Sequence, residues 1–174
     1  MRQKMKKTGK TKKLSLCAMC AALSFVLLYF GTSSGILDMS AAVLCGLITV
    51  LLSIEAGTKL TSCAVAVCAV LSLVILPDKT VGILYIMIGG LYPLVKPYAE
   101  RFRGARMWVL KLLAAEVSIG VYVAAMYLFI PGETGKYLIP AAFVLGTFCF
   151  LLYDVLLTRF AIIYFRRLRG IFGK

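Results

Sequence analysis

The chain has 174 residues, 61% of them hydrophobic and 16% charged, with a formal net charge of +13. This composition excludes an ordinary soluble domain. The cations do not read as a nucleic-acid footprint either, because they sit between apolar runs instead of lining one face or one helix.

The first thirteen residues form a basic leader holding Arg2, Lys4, Lys6, Lys7, Lys10, Lys12 and Lys13 with no acid among them. An uncharged run follows over residues 14–30. At 1.5 Å rise per residue that run reaches roughly 26 Å, close to the hydrocarbon thickness of about 30 Å. A basic segment before an apolar run resembles a secretory signal. Here the run is long and no small-x-small cleavage site follows it, so we read an uncleaved first helix. Cys17 is preceded by Lys12 and Lys13, not by the apolar stretch that a lipoprotein signal needs.

Five more apolar runs follow, over residues 36–54, 60–76, 81–95, 107–130 and 137 to about 165. Gly31-Thr32-Ser33-Ser34-Gly35, Pro77-Asp78-Lys79-Thr80 and Pro131 to Lys136 are turns by composition. The fourth run is short and carries Gly89, Gly90 and Pro93. All six runs are longer than a barrel strand and none alternates, so the expected class is an all-α bundle of six transmembrane helices. The domain plan is a leader (1–13), one transmembrane domain (14–165) and a basic tail (166–174).

Cations set the expected orientation. With six spans and the leader inside, the inner segments hold the seven leader cations, Lys59, the stretch Lys96, Arg101, Arg103 and Arg106, and the last group Arg159, Arg166, Arg167, Arg169 and Lys174. The three outer loops hold only Lys79 and Lys136, and Lys111 falls within the fifth helix. That asymmetry predicts both termini in the cytoplasm of a multi-pass cell (plasma) membrane protein.

Six cysteines (17, 20, 45, 63, 68 and 149) all lie inside apolar runs, where disulfides are not expected. Cys17-x-x-Cys20 has no second pair and no histidine to complete a metal site, so we read these thiols as packing residues and expect no metal and no cofactor. No nucleophile–base motif, zinc motif or phosphate-cradling glycine loop is present, so an enzyme is not expected.

Three ionisable residues fall within spans: Lys111, Glu116 and Asp154. Such residues default to functional hypotheses. Lys111 and Asp154 lie at similar depth on antiparallel helices and can pair. Glu116 is nearer mid-span, with Gly120 and Ala124 on the same face; the expectation is that this face points into the bundle as the floor of a cavity. Tyr85 and Tyr122 are candidates for its wall, and Asp38 sits at the outer start of the second helix, which gives the mix of aromatic and polar groups that a small-molecule pocket uses. Glu133, Lys136, Tyr127 and Tyr137 read as neighbouring loop and interfacial residues. Finally, Ala18-x-x-x-Ala22, extended by Ser15, makes a strip of small residues on which another helix can pack closely.

With about 170 residues, six helices, both ends inside and this alanine strip in the first helix, the chain resembles the substrate-binding membrane subunits (S components) of energy-coupling factor transporters. The resemblance implies a bacterial protein that takes up a vitamin-like small molecule. It also implies that the strip Ser15, Ala18 and Ala22 packs on a transmembrane coupling subunit, itself driven by ATPases, and that ligand binds near the outer surface. Asp38, Tyr85, Glu116 and Tyr122 are then the candidate substrate contacts. The metal-binding N-terminal histidine of nickel and cobalt members is absent. A second class fits the same layout: a non-transporting scaffold subunit of a cell-envelope or sporulation complex.

The orientation has a direct test. Single cysteines introduced after residues 34, 79 and 134 of a cysteine-free variant should react with an impermeant maleimide added outside intact cells. Reaction only from the cytoplasmic side would reject the orientation.

Overall fold

Without water in the bilayer core each backbone N–H and C=O must be satisfied within its own segment, which a helix does. The computed structural model describes the backbone of residues 2–35, 37–99, 105–129 and 138–164, and side chains over 11–35, 37–98, 107–125 and 143–164. Among the described residues there is no strand. Six helices are long and apolar enough to cross a membrane: Thr11–Ser34, Asp38–Glu55, Thr58–Ile75, Lys79–Tyr98, Met107–Ala125 and Phe143–Ile163. The expected all-α, six-span, multi-pass architecture is therefore the observed one. The Pro131–Lys136 turn, Glu133, Lys136, Tyr137, the side chain of Tyr127 and the basic tail 166–174 lie outside the described residues.

The elements are α1 (Arg2–Ser34), α2 (Asp38–Glu55), α3 (Thr58–Ile75), α4 (Lys79–Leu84), a π-helical segment Tyr85–Leu91, α5 (Tyr92–Ala99), α6 (Ala105–Phe129) and α7 (Leu138–Ile163). The fourth span is thus built from α4, the π segment and α5. The chain divides into two compact units, Met1–Leu94 and Val95–Lys174.

In the first unit the turns follow from local chemistry. Gly35, at φ +66°, follows the last turn of α1, and Gly57, at φ +89°, precedes the first turn of α3; both hold positive φ values that favour glycine. Between α3 and α4 the capping is reciprocal. Asp78 accepts from the Thr80 backbone N–H at 2.9 Å and from its hydroxyl at 2.6 Å, which starts α4. Lys79 reaches back and donates to the carbonyls of Leu73 at 2.7 Å and Leu76 at 3.2 Å, which the end of α3 leaves without helical partners.

The core of this unit joins Leu28, Ala41, Cys45, Cys68, Leu76, Val81 and Tyr85, with Phe25, Leu27, Ala69 and Ile86 packed against them. A second cluster places Cys17 of α1 against Leu52 and Ala56. Cysteines 17, 45 and 68 are therefore packing residues, and all six cysteines are free. The Cys45 thiol also donates to the Ser24 carbonyl at 3.3 Å, tying α2 to α1.

Small residues decide how closely these helices approach. A Cβ on Gly31 would meet the Ala41 methyl at 2.6 Å; one on Gly89 would lie 2.8 Å from the Tyr85 ring and 2.9 Å from the Ala42 carbonyl oxygen; one on Gly90 would meet Val65 at 2.7 Å. The π segment has a chemical cause close by. Pro93 has no N–H to give the carbonyls of the preceding turn, at Ile88 and Gly89. The Thr49 hydroxyl of α2 lies 2.9 Å from the Gly89 carbonyl and 3.0 Å from the Cys45 carbonyl of its own helix, so its one proton is shared between the two. Gly89, Gly90 and Pro93 were visible in the sequence; the partner that makes their combination tolerable in lipid was not.

In the second unit α6 packs on α7. Ile119 fills the space beside Gly146, where a Cβ would come within 3.0 Å, and Ala115, Phe150, Tyr153 and Leu157 are buried. The remaining faces of this helix pair expose Leu113, Val117, Val144, Leu145, Phe148 and Leu152. Such a surface suits acyl chains rather than water.

Candidate functional site

The second unit encloses three charged side chains. Asp154 lies on α7, Lys111 on α6 and Lys96 on α5, and each is only 7% exposed. Charges taken out of water cost several kcal/mol each unless their donors and acceptors are filled. Here they are filled by one another. Lys111 donates to Asp154 Oδ2 at 2.7 Å. Lys96 donates to Asp154 Oδ1 at 2.5 Å, to the Asp154 backbone carbonyl at 2.7 Å and to the Thr158 hydroxyl at 2.7 Å. An ammonium has three N–H bonds, and each of these acceptors can take one. The Thr158 hydroxyl in turn donates to the Asp154 carbonyl at 2.9 Å.

The pairing of Lys111 with Asp154 was legible from depth and helix direction. Lys96 was not: composition alone assigns it to the inner basic stretch, because a cation reads as the end of an apolar run. In the structure the fourth span continues through Lys96 to Tyr98. The available signal was the weakly polar Pro97-Tyr98-Ala99 that follows Lys96.

The residues expected to bind substrate fall two in each unit. In the first, Asp38 begins α2, half-buried, and its Oδ1 is enclosed without a hydrogen-bond partner. Tyr85 starts the π segment and is a core residue at 1% exposure, with its hydroxyl paired to the Cys68 sulfur. In the second, Glu116 is exposed on α6 and accepts from the Thr147 hydroxyl of α7 at 3.1 Å. Tyr122, further along α6, is half-buried. Gly120 has open space beside it, with nothing within 4 Å of where a Cβ would sit. The expected face of Glu116 and Gly120 thus lies open within its unit, and Lys111, an alternative ion partner for Glu116 by spacing, gives its ammonium to Asp154.

On α1, Ser15, Ala18 and Ala22 are all exposed, whereas Cys17, Ser24 and Leu28 of the same helix are buried. The small-residue strip is thus on the side of α1 turned away from the core of its own unit. No family model, curated protein or solved structure matches the chain.

Two substitutions separate the cluster's members. Asp154→Leu leaves two ammonium groups enclosed without their counter-charge and should cost on the order of 3–5 kcal/mol. Thr158→Val removes one neutral acceptor and should cost about 1 kcal/mol. Reversible unfolding of the purified protein in bicelles measures both; equal effects would show that the cluster does not hold the unit together.

Proposed function

We propose that this multi-pass membrane protein is the substrate-binding subunit of an energy-coupling factor-type transporter, taking up a vitamin-like small molecule in partnership with a transmembrane coupling subunit and its ATPases. The observation that carries this reading is the exposure of Ser15, Ala18 and Ala22 on α1. In lipid no hydrophobic effect drives helices together, so association depends on close van der Waals approach over small side chains. A strip of small residues that its own unit leaves uncovered is suited to a helix from elsewhere.

Two further features support the substrate half of the reading. The enclosed, unfilled Oδ1 of Asp38 is an acceptor that a ligand N–H or O–H would satisfy. Glu116 sits mid-span with open space beside Gly120. Insertion scales place an ionised acid at a helix centre about 2.5–3.5 kcal/mol uphill, a cost that polar company lowers.

Ala18→Trp or Ala22→Trp would hold a partner helix several ångströms away. Each variant should insert and purify like the parent but lose the coupling subunit in a pull-down from native membranes. Retention of that subunit by both variants would sink the docking role of the strip.

A further inference from the structure

We propose that residues 93–97 form a hinge inside the fourth span, about which the two units of the chain turn within the membrane. This goes beyond the transporter reading and does not depend on it.

The chain passes from one unit to the other once, between Leu94 and Val95. That crossing falls inside a span, in α5, and not in a loop. Any movement between the units must therefore be taken up by the backbone of a helix. An unbroken α-helix resists this, because each turn is tied to the one before by N–H to carbonyl bonds four residues apart. Sharp bends in helices have identifiable causes, and proline is one of them.

The crossing lies where those bonds are interrupted. Pro97 sits inside α5 and has no N–H to give the carbonyl of Pro93, four residues before it. Its ring also crowds that carbonyl, which opens the turn between residues 93 and 97. Pro93 withholds its own N–H from the Gly89 carbonyl in the same way, at the end of the π segment. Two consecutive turns thus lack a tie, and the change of unit falls in the second of them.

The residues on either side are held firmly, which confines bending to this turn. Before it, Gly89 lies so close to the Ala42 carbonyl and the Tyr85 ring, and Gly90 to Val65, that a Cβ on either would collide. Pro93 is itself fully buried. After it, Lys96 is fixed to α7 by the Asp154 carboxylate and the Thr158 hydroxyl. Between these anchors Leu94 is half-buried and Val95 is 51% exposed, so neither is wedged in place. Hinges have this form: a few residues between rigid bodies that absorb the change in backbone angles.

The test is pulsed electron paramagnetic resonance on the full-length, spin-labelled and otherwise cysteine-free protein in nanodiscs. Labels at Val74 and Val144, exposed positions of the first and the second unit, report between units. Pairs at Met19 and Val74, and at Leu113 and Val144, report within them. The between-unit distance distribution should be broad or double-peaked where both within-unit distributions are narrow and single. Pro97→Ala restores the missing N–H and should narrow the between-unit distribution to the width of the other two. Unchanged within-unit distances in that variant show that it is folded. Val95→Gly, at an exposed position, should broaden the between-unit distribution further. A narrow, single between-unit distribution in the parent would overturn the proposal, because a fixed kink gives that result. So would a breadth that Pro97→Ala and Val95→Gly both leave unaltered.

Discussion

One constraint runs through the molecule: inside a bilayer there is no water to complete a hydrogen bond. Asp154 shows the strongest form of it. A single carboxylate holds ammonium groups from two other helices at 2.5 and 2.7 Å, and the spare donors of Lys96 go to a backbone carbonyl and to Thr158. Because Lys96, Lys111 and Asp154 come from α5, α6 and α7, satisfying these charges also fixes which helix faces meet. The same logic operates without charge in the first unit, where Thr49 supplies the donor that Pro93 lacks and lets a proline and two glycines sit in a spanning segment.

Packing without a hydrophobic effect is the second consequence. Gly31, Gly89 and Gly90 bring backbones close enough that a methyl group would collide, and buried cysteines fill the remaining space. On α1, Cys17, Ser24, Leu28 and Gly31 face these contacts. On its other side Ser15, Ala18 and Ala22 offer the same kind of smooth surface without an internal user, and the proposed partnership begins from that difference.

The spans were legible because long apolar runs bounded by Gly, Pro and charge have few alternative readings in a bilayer. The Lys111–Asp154 pair was legible because depth along antiparallel helices can be counted. What escaped is what depends on a third element. Lys96 looks like a loop cation until α7 is placed beside it, and the π segment needs Thr49, some forty positions earlier in the chain, to make sense. Tyr85 shows a further limit: an aromatic with a hydroxyl reads equally as a pocket wall or as core, and only burial against Leu28 and Cys68 places it in the core. Glu116 is polar, mid-span and exposed, and its partner in the sequence, Thr147, carries no pattern that announces it.

Charge satisfaction around Asp154 organises the second unit. Unfolding of the neutral triple variant Asp154→Leu/Lys96→Met/Lys111→Met in bicelles tests it most directly. Replacing a whole buried ion cluster by apolar groups removes the desolvation cost together with the attraction, so the triple variant should recover to within about 1 kcal/mol of the parent or exceed it. A triple variant as unstable as Asp154→Leu alone would contradict the claim, because the loss would then lie in shape and not in stranded charge.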